Sequence, residues 1–178
     1  MTDKVLSSFL ERQYAEAMAL AAKSSILRLL PGPGVPPQQY IAEFHCNGLA
    51  QNPDRSIGEC GLFAVGIFFP YDYLRRASTF EVLAWLGPAS VFHPNINGER
   101  KVICIGALAP GTDLVSILYQ VFEVIVYRKF NTREYDALNQ EACAWARRVR
   151  GRFPTDPRPL KRPEPLAQPP GDRKEGQP

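Results

Sequence analysis

The chain has 178 residues, 45% of them hydrophobic, with 21 Lys and Arg against 18 Asp and Glu for a net charge of +3. That size and composition suit one globular domain with a packed core and argue against disorder of the whole chain. So small a positive excess, with no block of like charge, argues against nucleic acid as a partner.

The first segment, Asp3 to Leu30, reads as a helix, because Leu6, Phe9, Leu10, Ala17, Leu20, Ala21 and Leu27 fall near one stripe. Pro31-Gly32-Pro33-Gly34 and Pro36-Pro37 break it. From Tyr40 to Cys46 the pattern alternates: Tyr40, Ala42, Phe44 and Cys46 share one face, with Glu43 and His45 on the other. Asn52-Pro53-Asp54 marks a turn. Leu62 to Phe69 is continuously apolar and reads as a buried strand. Phe80 to Leu86 is a third strand, ended by Gly87-Pro88, and Val91-Phe92 is a short fourth candidate. Turn-sized gaps between them favour an antiparallel meander.

The period then changes. Leu114, Ile117, Leu118, Val121 and Ile125 lie on one helix face, with Thr112 as the expected N-cap and Asp113 at the positive end. A last helix places Leu138, Ala142, Trp145 and Val149 on one side; Asn131 with Glu134, or Asn139, is its cap. Arg147, Arg148, Arg150 and Arg152 suit its negative end. Eight prolines fall in the final 25 residues, so residues 154–178 are expected as a disordered, Pro-rich tail behind a domain spanning 1–153. The fold class is α+β: N-terminal helix, antiparallel meander, active-site loop, then C-terminal helices.

No run approaches the about 20 apolar residues that span a bilayer, so no membrane partner is expected. Asp3, Lys4, Ser7 and Ser8 near the start do not resemble a secretory signal. The four cysteines, Cys46, Cys60, Cys104 and Cys143, form no Cys-x-x-Cys pair, and His45 and His93 are the two histidines. These spacings argue against a structural zinc, and no cofactor is expected. Without an export signal, reduced thiols and a cytoplasmic location are expected.

The informative stretch runs from Phe92 to Ile105: Phe92-His93-Pro94-Asn95-Ile96-Asn97-Gly98-Glu99-Arg100-Lys101-Val102-Ile103-Cys104-Ile105. A polar, turn-forming loop ends in a short apolar run that holds a thiol. Two readings stand. Cys104, Asn95 and His93 are a nucleophile, an oxyanion donor and a base, or Cys104 is simply a buried structural cysteine. Cys46, Cys60 and Cys143 read as structural.

The order His93-Pro94-Asn95-Ile96, a short Asn/Gly loop, then Ile103-Cys104 resembles the signature of the ubiquitin-conjugating enzyme family. Leu62 to Leu74, with Phe69-Pro70 and Tyr73, resembles that family's second strand and following turn. Asp136 to Ala142 resembles the opening of its later helix. The similarity covers about residues 3 to 150. It implies that Cys104 accepts a ubiquitin-like protein from an activating enzyme as a thioester and passes it to an amine on a protein substrate. It implies that Asn95 donates to the developing oxyanion or holds the loop. Asp136 then orients and helps deprotonate the incoming lysine, with a solvated aspartate as the bland alternative. It also implies that His93 braces the loop, with Pro94 a structural part of it, and that the N-terminal helix binds the activating enzyme.

Two departures bear on the cargo. Asn95 to Cys104 is nine residues, one longer than in the common eukaryotic members, and Ala109-Pro110-Gly111 stands where a tryptophan usually follows. The chain looks more like divergent bacterial members encoded beside a small ubiquitin-like protein, some of them in anti-phage defence. Competing readings are a non-catalytic binding module of the same fold, a cysteine peptidase using Cys104, His93 and Asn95, and a purely structural component with a docking tail.

Overall fold

The computed structural model describes residues 4–149 and 153–161. Helix α1, Lys4–Ala22, buries Leu6, Phe9, Leu10, Gln13, Ala17 and Leu20 along the expected stripe. It stops at Ala22 rather than at Leu30. Ser24 turns the chain: its hydroxyl oxygen accepts the Ile26 and Leu27 N–H groups. Leu27–Pro31 is then strand β1, with Leu27 and Leu29 inward and Arg28 outward. Helical and alternating readings of Leu27 to Leu30 both bury leucines. Pairing with the next strand decides between them, because it satisfies the backbone polar groups along the segment.

That next strand is β2, Gln39–Phe44, antiparallel to β1 in a register that sets Leu27 against Phe44 and Pro31 against Tyr40. Strand β3, Gly48–Gln51, and strand β4, Ile57–Cys60, form a side hairpin absent from the sequence reading. The expected Asn52-Pro53-Asp54 turn closes it, and Arg55 takes a positive φ of 66° there. Strand β5, Phe63–Phe68, pairs with β2. The expected run from Leu62 to Phe69 is not buried throughout: Phe63, Val65, Ile67 and Phe69 face the core, while Leu62 and Phe68 are exposed. A strand in an antiparallel sheet covered on one face has this alternation whatever its composition.

The expected strand from Phe80 is split. Thr79–Val82 forms one helical turn, α2, and strand β6 is Leu83–Gly87. The four-stranded sheet has the order β1-β2-β5-β6, a sequential antiparallel arrangement. Val91 makes a single bridge to Ala50 instead of a strand. Strands β7, Ile96–Asn97, and β8, Val102–Ile103, form a second small hairpin.

Helix α3, Leu114–Ile125, lies among the core residues with Leu114, Ile117, Leu118, Val121 and Ile125 buried. Its cap is Asp113, whose carboxylate accepts the Ser116 N–H at 2.7 Å; Thr112 instead donates to Ala109. The buried Gln13 of α1 accepts the Leu114 N–H, so two helices share one set of end groups. Helix α4, Gln140–Val149, is capped by Asn139, which accepts the Ala142 N–H at 2.9 Å. Of the two candidates, Asn131 does not cap it. A second cluster packs Ala142 and Ala146 of α4 with Leu49, Phe92 and Tyr127.

The domain does not end at 153. Leu160, 1% exposed, belongs to the main core, and its carbonyl accepts the Ser24 hydroxyl at 2.5 Å. Thr155 donates to the Val126 carbonyl. Asp156 pairs with Arg158 at 2.6 Å and accepts the Asn47 N–H. A Pro-rich segment of low apolar content still packs when a few side chains reach fixed partners. The domain therefore reaches at least Lys161; residues 162–178, the rest of the expected tail, lie outside the described residues.

The hydrogen bond from Arg158 holds the Asp156 carboxyl down at about 2, below its ordinary 3.8. A depressed carboxylate stabilises the fold above its ordinary range and loses that contribution as pH falls toward the depressed value. Asp156→Asn should therefore cost about 1–2 kcal/mol at neutral pH, discounted for the half-exposed Arg158. Urea titrations at pH 7 and pH 2.5 check it, since the difference from wild type should shrink at the lower pH.

Candidate functional site

The loop before Cys104 is fixed from both ends. Ile96, Ile103 and Ile105 are fully buried, which anchors the β7–β8 hairpin and leaves Cys104 half-buried between two core residues. Gly98 lies so close to the Ala89 backbone that a β-carbon there would stand 2.1 Å from the Ala89 carbonyl oxygen. Lys101 takes a positive φ of 57° to close the hairpin, and its carbonyl accepts the Trp85 N–H of β6.

Asn95 is the hub. Its backbone carbonyl accepts the Cys104 N–H at 2.9 Å, and its side-chain Nδ2 donates back to the Cys104 carbonyl at 2.9 Å. Its Oδ1 accepts the Asn131 N–H at 2.7 Å. These two partners, one acceptor and one donor, also dictate which side-chain atom is which. Asn131 in turn uses its own side chain to accept the Arg133 N–H, and its carbonyl accepts the Cys143 thiol at 3.3 Å. By sequence alone Asn131 is a candidate helix cap and nothing more. Its contribution here is a backbone N–H, which no residue pattern reveals.

His93 is 1% exposed. Its Nδ1 accepts the Asn95 N–H at 3.0 Å, so the ring proton is on Nε2, which has no partner among the described residues. Burial holds the ring far down, at about 3, and hence neutral. Its centroid lies 4.3 Å from that of Tyr127, whose hydroxyl donates to the Phe92 carbonyl. A buried imidazole whose acceptor nitrogen is committed to the backbone, with no hydrogen bond to Cys104, is not placed as a base for that thiol. Among the described residues, the His93–Cys104 hydrogen bond that a peptidase dyad uses is not formed.

The Pro94 carbonyl accepts the Leu138 N–H at 2.9 Å and the Asn139 N–H at 3.3 Å, and Asn97 donates to the Leu138 carbonyl. These bonds hold the segment before α4 against the loop. Asp136 ends a 3-10 turn, Glu134–Asp136, two residues ahead of Leu138. Its carboxylate is exposed and makes no ion pair or hydrogen bond among the described residues. The structure thus joins His93, Pro94, Asn95 and Cys104 in one hydrogen-bonded unit and ties the Asp136 segment to it through Pro94. Lys129, which the sequence did not single out, donates to the Ile105 carbonyl next to the thiol.

The other thiols are differently placed. Burial pushes Cys46 up to about 12, and Cys143 is raised by burial and by Glu134. Both suit structural cysteines. Among the described residues no three His, Cys, Asp or Glu side chains gather as a metal site, and no helix is long and apolar enough to cross a membrane. No protein-family model matches the chain, and no curated protein matches it.

Two outcomes follow from this geometry. A histidine depressed by burial costs stability as pH falls below its ordinary value near 6.5, at about 1.4 kcal/mol per pH unit, down to about 3. His93→Asn, which keeps an acceptor for the Asn95 N–H, should flatten that slope between pH 6 and 4 in denaturant titrations. Asn95→Ala should destabilise the domain by about 2–4 kcal/mol, because it strands the Cys104 carbonyl and the Asn131 N–H together. A melting temperature equal to wild type would show that neither bond contributes.

Proposed function

We propose that the chain is a ubiquitin-conjugating-type enzyme, carrying a ubiquitin-like protein as a thioester on Cys104 and passing it to an amine. The observation that carries this reading is the Asn95 side chain, which grips the Cys104 carbonyl and the Asn131 N–H while the thiol itself stays outside the network. The order of elements, with a helix, a four-stranded antiparallel sheet, the His93-Pro94-Asn95 loop and later helices, supports a ubiquitin-conjugating fold.

The chemistry asks little of the fold. Exchange of one thioester for another is near thermoneutral and needs an accessible thiol that attacks and leaves comparably well. Transfer to an amine is harder, because negative charge develops on the carbonyl oxygen. Asn95 Nδ2 carries two protons and one is committed to the Cys104 carbonyl. The second is the donor for the oxyanion, and the Asn131 bond to Oδ1 keeps the amide from turning away. Loss of one such donor costs about 10²–10³ in rate. The unpaired Asp136 carboxylate, on the segment bound to Pro94, orients the incoming amine and accepts its proton. His93 and Pro94 hold the loop.

The partners are an activating enzyme, the ubiquitin-like cargo and a protein substrate. The long interval from Asn95 to Cys104 and the missing tryptophan favour a cargo other than eukaryotic ubiquitin, in a bacterial system such as those used in antiviral defence and in the cytoplasm. A non-catalytic binding module of the same fold would need Asn95 only as a latch.

The deciding assay supplies an activating enzyme, ATP and its ubiquitin-like protein. Cys104 should gain an adduct that thiol reductant removes, and Cys104→Ser should form a slower, reductant-stable ester. A reducible adduct that survives Cys104→Ala would sink the assignment. No adduct on any residue would leave the binding-module reading in its place.

A further inference from the structure

Lys129 is the lysine whose ammonium the fold ties to the residue after Cys104. Behind α3 the chain turns sharply: Tyr127 takes a positive φ of 58°, and the Arg128 and Lys129 N–H groups both donate to the Glu123 carbonyl. The turn carries the Lys129 stem back to the loop that follows the thiol. Its ammonium donates to the Ile105 carbonyl, one residue and about 3.8 Å along the Cα trace from Cys104. Gly106 provides the room. It takes a positive φ of 100°, and a β-carbon there would stand 3.4 Å from Lys129 Nζ. Lys129 is exposed, so its stem is not locked by core packing. Of the six lysines, Lys4, Lys23, Lys101, Lys129, Lys161 and Lys174, Lys101 is nearer Cys104 in sequence, as the last residue of the β7–β8 turn, but its ammonium makes no hydrogen bond or ion pair among the described residues.

We infer that Lys129 is an acceptor in cis: once Cys104 carries a carboxyl-terminal acyl group, the Lys129 amine takes it. The inference rests on the thioester reading of Cys104. In the step, the neutral amine attacks the thioester carbonyl carbon. A C–N bond forms and the C–S bond breaks. The thiolate leaves on Cys104, and the proton lost by nitrogen returns the thiol. The products are an isopeptide at Lys129 and free Cys104, and no oxidant or nucleotide enters the balance. The Ile105 carbonyl holds the amine beside the thioester between turnovers. An amine tethered this closely acts at an effective concentration of about millimolar or more, so it outruns dilute external amines. The resulting adduct sits next to Cys104 and closes the site, which makes the enzyme self-limiting unless an external acceptor arrives first.

The test uses the full chain and a probe that needs no activating enzyme: a synthetic peptide ending in Gly-Gly as its mercaptoethanesulfonate thioester, which charges Cys104 by thiol exchange. The expected result is a reductant-sensitive adduct on Cys104 that decays to a reductant-stable one, mapped to Lys129 by peptide mass spectrometry. The decay should be first order at a rate independent of protein concentration and should rise with pH, since only the neutral amine attacks. Lys129→Arg, which keeps a donor for the Ile105 carbonyl, should prolong the Cys104 thioester by about tenfold or more. Cys104→Ala should yield no Lys129 adduct. A thioester on Cys104 without transfer, transfer to Lys101 instead, or a rate proportional to protein concentration overturns the inference and leaves the thioester reading standing. Failure of Cys104 to exchange at all overturns both.

Discussion

One side chain, the amide of Asn95, joins three segments that the chain itself keeps apart. It reaches the Cys104 carbonyl on one side and the Asn131 N–H on the other, while its backbone pairs with Cys104. An amide offers a donor and an acceptor on the same terminal carbon, so an ionised aspartate would strand the Cys104 carbonyl and leucine would strand both partners. The hairpin it holds has two residue pairs, Ile96 with Ile103 and Asn97 with Val102. A ribbon that short has no independent stability. Three buried isoleucines fix its depth in the core and Asn95 fixes its attitude to the loop after α3. The position of the thiol depends on both.

Beneath that hub lies a small set of buried polar groups. His93 accepts from the Asn95 backbone and rests on Tyr127, which in turn donates to the Phe92 carbonyl. The unpartnered Nε2 is a local cost of the arrangement. The return is a neutral, rigid brace whose charge does not change across the physiological range, since burial holds the ring near 3. In the proposed mechanism proton transfer falls to the exposed Asp136 carboxylate, and the buried groups supply rigidity.

The C-terminal segment couples to the same place. Phe153 lies 4.5 Å from the Tyr127 ring and also meets Phe130 and Trp145, so it closes the aromatic cluster behind His93. Thr155, Asp156 and Leu160 then carry the chain across Val126, Asn47 and Ser24. Residues 153–161 tie the turn after α3, the sheet side of the domain and the end of α1 into one body. The outer sheet face, where Ile41, Phe68 and Leu86 are exposed, stands apart from these contacts.

The local patterns were legible because their causes are local. Leu114 to Ile125 could be read as a helix from its apolar spacing, and Tyr40 to Cys46 as a strand from its alternation; both are found. The compact run from His93 to Cys104 could be singled out because its residues are close in sequence. Leu27 to Leu30 reads as helix and is a strand, since a leucine stripe buries equally well in either until β2 pairs with it. The packing of Leu160 was hidden by a composition that describes the tail as a whole and not the few side chains that find partners. The Asn95 bond to Asn131 spans 36 residues and the Lys129 bond to Ile105 spans 24. Each engages a backbone group, which every residue carries and no sequence distinguishes. Their meeting is set by where α3 ends and how the chain turns at Tyr127, and packing alone decides that.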